Sequence, residues 1–271
     1  MAGRTPIPSR LLRLGRVTLH LLRGLAVAAI MFPWISQEKR DAQKRRWSRR
    51  LLSILSVSVR ESNAPESLSE RCLLVLNHIS WLDIFVINAR SPATFIAKSE
   101  IRDWPVVGWL CTLVGTLYIE RGKPSAARQA SRRIAKALER GVLIAIFPEG
   151  TTTFGRSLEP FHAALFQPAL DAGAGVQPIA LRYLDGAGRH TDSAGYVGET
   201  SFVESVWTIV STPRIVAELD FLPPVSVHRQ TRRSLAERTE AAIAAALKVT
   251  VPERRHSHRR GPGKGAGRPA E

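Results

Sequence analysis

Cysteine is nearly absent. The 271-residue chain holds two, Cys72 and Cys111, each inside an apolar run. Their spacing suits neither a metal site nor a disulfide framework, so they read as inert thiols in a reducing compartment. The Gly-x-Ser-x-Gly elbow that carries the nucleophile of an α/β-hydrolase is missing as well. No internal repeat is present. Long apolar runs are also scarce. The most apolar stretch, VTLHLLRGLAVAAIMFPWIS (17–36), is interrupted by His20 and Arg23. Its unbroken part, Gly24 to Ile35, falls short of the roughly 20 residues that crossing a bilayer requires. No small-residue cleavage pattern follows it, as one would after a signal peptide.

Acidic residues are the other deficit: 23 Asp and Glu stand against 39 Lys and Arg, a net charge of +16. The excess is uneven. Residues 1–50 carry 12 basic and 2 acidic side chains, residues 252–271 carry 6 and 2, and the middle carries 21 and 19. A nearly neutral body therefore has two basic ends, and basic ends seek anionic surfaces. At the amino end the apolar stretch is followed by QEKRDAQKRRWSRR (37–50). Pro33 ends or kinks the first helix. A second helix then resumes and runs through WSRRLLSILSV, with Trp34 and Trp47 placed as interface residues. An apolar helix followed by a basic amphipathic one suits a membrane-seated pair or a single tilted span, with the Lys and Arg on the cytoplasmic side. Nucleic acid is the weaker partner and no nucleic-acid role is expected, because so lipid-like a run has no work to do there.

The middle alternates strands and helices. Strands are expected over Leu73–Leu76, Ala93–Lys98, Thr116–Glu120, Val142–Pro148, Val176–Tyr183 and Arg214–Phe221. Helices are expected over Ser80–Asn88, Ser125–Gly141, the stretch FHAALFQPALDAG with Pro168 inside it, and RQTRRSLAERTEAAIAAAL. That order argues an α/β fold, a layered sheet with flanking helices, preceded by a membrane-seated amino-terminal helical segment. Three regions follow: a membrane-associated helical region over 1–56, a catalytic domain over 57–251, and a basic disordered tail over 252–271. Residues 184–195, LDGAGRHTDSAG, read as a surface loop.

Reactive groups of an open α/β sheet gather beyond the carboxyl ends of its strands. In LLVLNHISWLDIF (73–85) a buried strand stops at Asn77 and His78, and Asp83 follows five residues after the histidine. A neutral imidazole there can take a proton from a hydroxyl, and a carboxylate can hold its other nitrogen and steady the imidazolium. Five residues share a helix face poorly, so the pair works only if His78 precedes the first full turn. Arg121, in IERG, ends another strand and can clamp an anion bidentately. AIFPEGTTTFG (145–155) ends a third strand in a turn. There Gly150 permits close backbone approach, Thr151 offers a hydroxyl and an amide, and Glu149 can orient Arg121 or a ligand hydroxyl.

NHISWLD, GTLYIER, FPEGTTT and VQPIALRY stand in the order and approximate spacing of the four sequence blocks of the PlsC-like lysophospholipid acyltransferases. The chain resembles that family over roughly 71–183. The resemblance implies acyl transfer from a thioester, acyl-CoA or acyl carrier protein, to the free hydroxyl of a lysolipid. The first acceptor it implies is 1-acyl-sn-glycerol-3-phosphate, giving phosphatidic acid. It makes His78 the base and Asp83 its orienter. It assigns Asn77, Ser80, Gly115, Arg121, Glu149, Gly150 and Thr151 to substrate binding. No cofactor or metal is implied, and the place of work is the cytoplasmic face of the inner membrane. Two departures bear on the head group. Thr152 and Thr153 stand where the third block often continues with Arg and Ser, and His162 stands where many members carry lysine. Both remove cations, and the pattern FPEGTT followed by LEPFHAALF is similar to the subset that acylates lyso-ornithine lipid. The competing classes are a hydrolase or thioesterase using the same pair, which the missing elbow disfavours, and a non-catalytic membrane-binding protein.

Overall fold

The computed structural model describes residues 5–68, 71–103, 112, 115–119 and 124–252. Helix α1 (Ile7–Met31) opens on prolines, whose fixed φ suits a first turn. With the turn that follows it reaches Trp34, and this 28-residue unit is long and apolar enough to cross a membrane. Pro33 ends it in a 3₁₀ turn, Phe32–Trp34, as its missing N–H requires. Ser36 then caps α2 (Gln37–Ile54) by accepting the Lys39 N–H. His20 and Trp47 lock the two helices together. Their rings stack at 4.8 Å, His20 Nε2 meets the Trp47 carbonyl at 3.0 Å, and Trp47 Nε1–H donates to the His20 carbonyl at 3.3 Å. Gly24 makes room for this, since a Cβ there would lie 2.2 Å from Trp47 Nε1.

Seven strands follow: β1 (Val57–Ser62), β2 (Cys72–Leu76), β3 (Thr94–Lys98), β4 (Leu117–Ile119), β5 (Ile144–Ile146), β6 (Gly175–Asp185) and β7 (Ile215–Phe221). They form one sheet in the order β1-β7-β6-β2-β5-β3-β4. All neighbours are parallel except β6 and β7, so β1 and β7 run against the other five. The two-residue period of a strand sorts β2 cleanly. Leu74 and Leu76 enter one apolar layer with the end of α2, with α3 (Asp83–Arg90) and with α6 (Phe202–Ser211). Leu73 and Val75 enter the other, with α4 (Pro124–Glu139), α5 (Gln167–Ala172) and α7 (Arg232–Leu247). The result is a three-layer α/β sandwich.

Two elements were not foreseen. Val57–Ser62 is an edge strand, not a continuation of α2. Ser56 breaks the helix at φ +58° and sends the chain along β7. Helix α6 is the second, and Ser201 and Glu204 mark its start. Ser201 Oγ accepts the Glu204 N–H, the S-x-x-E signature of a helix amino terminus. The last turn of α2 also belongs to the body: Leu51, Leu52, Ile54 and Leu55 are buried in its core.

Candidate active site

The strand β2 is buried over its whole length, so the chain that leaves it starts from a rigid base. Asn77 is the first residue out. Its side chain is fully buried and pairs twice with β6: Nδ2–H donates to the Leu181 carbonyl at 2.9 Å, and Oδ1 accepts the Leu181 N–H at 2.8 Å. It extends the ladder by one side-chain rung. Both polar ends are thereby spent on backbone, so Asn77 acts as scaffold where ligand contact had been expected. Ser80 is also wholly buried, and its Oγ accepts the Leu82 N–H at 3.2 Å.

His78 lies between these two, before α3 begins at Asp83, as the pair required. Its Nδ1 is 2.8 Å from Asp83 Oδ2. The same oxygen accepts the N–H groups of Ile79 at 2.8 Å and Ser80 at 3.0 Å. Asp83 Oδ1 accepts the Tyr183 hydroxyl at 2.8 Å. The carboxylate is fully buried with four donors around it, which offsets much of the cost of removing it from water. An ionised carboxylate only accepts hydrogen bonds, so the ring hydrogen sits on Nδ1 and Nε2 keeps its lone pair. Phe147 stacks on the imidazole at 4.1 Å and 12°, leaving His78 21 % exposed. This arrangement can accept a proton from a hydroxyl brought to Nε2.

The turn after β5 supports the histidine from the other side. Phe147 to Gly150 form a β-turn, with Pro148 in its second position, Gly150 N–H donating to the Phe147 carbonyl at 3.1 Å, and Gly150 at φ +69°. Glu149 is buried, and its two oxygens accept the N–H of His78 at 2.6 Å and of Glu159 at 2.9 Å. It braces the backbone that carries the base. Burial pushes its carboxyl up to about 7, with Asp83 and Glu159 adding to the rise, and the two amide bonds hold it down in part. Thr153 N–H donates to the His78 carbonyl at 2.9 Å, and Tyr196 N–H donates to that of Ile79 at 3.0 Å. Thr152 Oγ1 donates to the Tyr196 carbonyl. The residue that follows the expected surface loop is thereby tied to the site, and Ala194 within the loop is buried.

His78, Asp83, Asn77, Ser80 and Glu149 are thus brought together, with Gly150 in the bracing turn and Thr151 exposed beside it. Gly115 is not part of this cluster. It stands at φ +87° ahead of β4, on the amino side of a strand parallel to β3, whereas His78 and Glu149 follow the carboxyl ends of theirs. Arg121 and Cys111 lie outside the described residues. Tyr183 was not foreseen as a site residue. It is fully buried, and burial together with Asp83 holds its hydroxyl well above the usual phenol range, so it stays a donor. Its only mark in the sequence is its place at the end of the VQPIALRY block.

Residues 56–182 match the Acyltransferase family model. The chain is 36% identical over 248 residues to the lyso-ornithine lipid O-acyltransferase of Pseudomonas aeruginosa, covering 88% of this chain and 93% of that protein. It is 38% identical over 176 residues to the 1-acyl-sn-glycerol-3-phosphate acyltransferase of Neisseria gonorrhoeae, covering 65% and 69%. Among solved structures it matches the 1-acyl-sn-glycerophosphate acyltransferase PlsC of Thermotoga maritima. The TM-score is 0.63 at 21% identity, over 88% of this chain and 96% of that one, which shows a shared fold.

Proposed function

The chain belongs to the acyltransferase family, and we propose that it moves a fatty acyl group from acyl-CoA or acyl carrier protein to the free hydroxyl of a lysolipid, with His78 as general base. The observation that carries this is the His78–Asp83 pair at 2.8 Å, with Nδ1–H committed to the carboxylate. His78 Nε2 takes the hydroxyl proton as the oxygen attacks the thioester carbonyl. Asp83 steadies the imidazolium that forms. When the tetrahedral intermediate collapses, the thiolate leaves and the imidazolium returns the proton to it. A thioester is already activated, so placement and charge stabilisation suffice and no acyl-enzyme is needed.

The acceptor that the family resemblance gives first is 1-acyl-sn-glycerol-3-phosphate, with phosphatidic acid as product. Arg121 and the turn at Glu149, Gly150 and Thr151 would serve its head group. Lyso-ornithine lipid is a second reading, favoured by two observations. Thr152 and His162 stand where the family often carries Arg and Lys, beside the bracing turn, where His162 N–H donates to the Pro148 carbonyl at 2.9 Å. The similarity to a lyso-ornithine lipid enzyme also spans nearly the whole chain. The protein works at a membrane, which we place as the inner membrane with the site on its cytoplasmic face. The test is a pairwise assay of purified protein with labelled acyl-CoA and acyl carrier protein against both lysolipids. Label in a two-chain lipid is the expected result. Release of free fatty acid without acceptor would make the protein a thioesterase instead.

A further inference from the structure

Helix α6 carries an apolar face that the described residues leave partly exposed. Phe202 is 52% exposed, Val203 77% and Trp207 41%, whereas Ser205, Ile209 and Val210 on the other side are buried. The face is held beside the first turns of α1. The Arg10 guanidinium lies 5.8 Å over the Trp207 ring. Arg13 donates to the Val210 and Thr212 carbonyls at 3.1 and 2.9 Å, and Thr5 N–H donates to the Ser211 carbonyl at 3.0 Å, so the α6 carboxyl end is capped from α1. Ile7, Leu11 and Leu12 in those turns are themselves exposed. At its other end the patch reaches the site. Phe202 packs on Trp81 at 5.2 Å, Trp81 Nε1–H donates to Ser205 Oγ at 3.1 Å, and Trp81 stands three residues after His78.

We infer that α6 is a second membrane-contacting element, a short helix lying in the bilayer interface with Phe202, Val203 and Trp207 in lipid, which seats the mouth of the His78 site on the membrane. Three features favour a bilayer over a second copy of the chain. The patch borders a helix that is itself long and apolar enough to enter a membrane. A tryptophan with an arginine against its face is interfacial chemistry. The positive charge of residues 1–50 draws this end of the molecule toward anionic lipid. At ten residues the helix is about 15 Å long, half the hydrocarbon thickness, so it lies along the surface rather than crossing it. An acceptor lipid then reaches His78 by sliding within its leaflet.

The test places a fluorophore whose emission reports polarity (NBD) at Val203→Cys in full-length protein with both native cysteines replaced by alanine. The control carries the label at Arg238→Cys on α7, across the sheet. On adding vesicles of phosphatidylcholine and phosphatidylglycerol, the Val203 label shifts to the blue and is quenched by lipids brominated in the acyl chain, and the Arg238 label does neither. Equal behaviour of the two labels would overturn the inference. So would a shift at Val203 that follows protein concentration without vesicles, which would assign the face to a second copy. A second arm rests on the acyl-transfer reading. Val203→Asp lowers turnover of vesicle-borne lysolipid severalfold and leaves turnover of a short-chain, monomeric lysolipid unchanged. Equal effects on both contradict the seating role, and the label experiment stands whether or not the reaction is as proposed.

Discussion

The loop after β2 buries what proteins usually leave in water, and helix α1 leaves exposed what they usually bury. In the loop, Asp83, Ser80 and Asn77 are fully buried, and each is bonded to its neighbours. Along α1, Leu12, Leu19, Leu22 and Ile30 are exposed, and Trp34 at its end almost completely so. Both depart from the ordinary partition of side chains, but they are balanced differently. The loop is balanced from within, donor against acceptor, so each atom has an assigned place. On the membrane seating proposed above, helix α1 is balanced from outside by an apolar solvent, which asks only that side chains be apolar. The loop should therefore be sensitive to single atoms and α1 to polarity alone.

The sharpest way to break that contrast is Asp83→Asn. The amide oxygen can still accept from His78, Ile79 and Ser80, and its NH₂ can donate to the Tyr183 oxygen, so the fold is kept and only the charge is lost. Acyl transfer should fall about 10²–10⁴-fold with little change in circular dichroism. Retained activity would mean that the imidazolium needs no counter-charge.

Glu149→Gln comes next and acts on stability. Two backbone N–H groups point at Glu149, and an amide can accept only one of them. Below pH 4.5, where wild-type Glu149 is neutral as well, the variant should be less stable by about 1–3 kcal/mol. The wild type should also show a pH signature that the variant lacks. Burial raises the Glu149 carboxyl from 4.5 to about 7 in the folded protein. Below 4.5 it is protonated folded or unfolded, and its contribution is intact. Between 4.5 and 7 the unfolded chain ionises while the folded one does not, which favours unfolding. Stability should fall over that window by roughly 3 kcal/mol. Urea midpoints across it, wild type against variant, measure both effects.

Tyr183→Phe removes one of four donors to Asp83. A loss of about 1–3 kcal/mol in stability is expected. Turnover should fall less than in Asp83→Asn, because the ring nitrogen keeps its partner. Paired melting and rate measurements check the order. The smallest effect belongs to α1. Leu19→Ala should change stability in detergent by less than about 0.5 kcal/mol, while Leu19→Asp should lower recovery in floated vesicles without harming turnover of detergent-dispersed substrate. A large loss of stability from Leu19→Ala would place α1 in the core rather than in lipid.

How far the sequence carried differs between the same two regions. The β2 strand, the histidine beyond it and the Pro-Glu-Gly turn were legible because each is a local pattern, a buried run ended by polar residues. Helix α4 was legible through its spacing and through Gly141, which follows it at φ +79°. Strand β1 was not, since VSVRES follows a helix with no Gly or Pro between and its partner β7 lies 158 residues away. Tyr183 was missed for the same reason: it reaches Asp83 across 100 residues on β6, and nothing local marks a tyrosine as a carboxylate's partner. Glu149 was placed at the site, but its two amide partners are set by loops that only the fold brings together.

The claim that His78 Nε2 takes the acceptor's proton is tested most directly by His78→Ala, assayed beside the wild type as labelled two-chain lipid formed per enzyme at saturating donor and lysolipid. Turnover should fall about 10²–10⁴-fold with the fold and membrane recovery unchanged. Turnover near that of the wild type would contradict it.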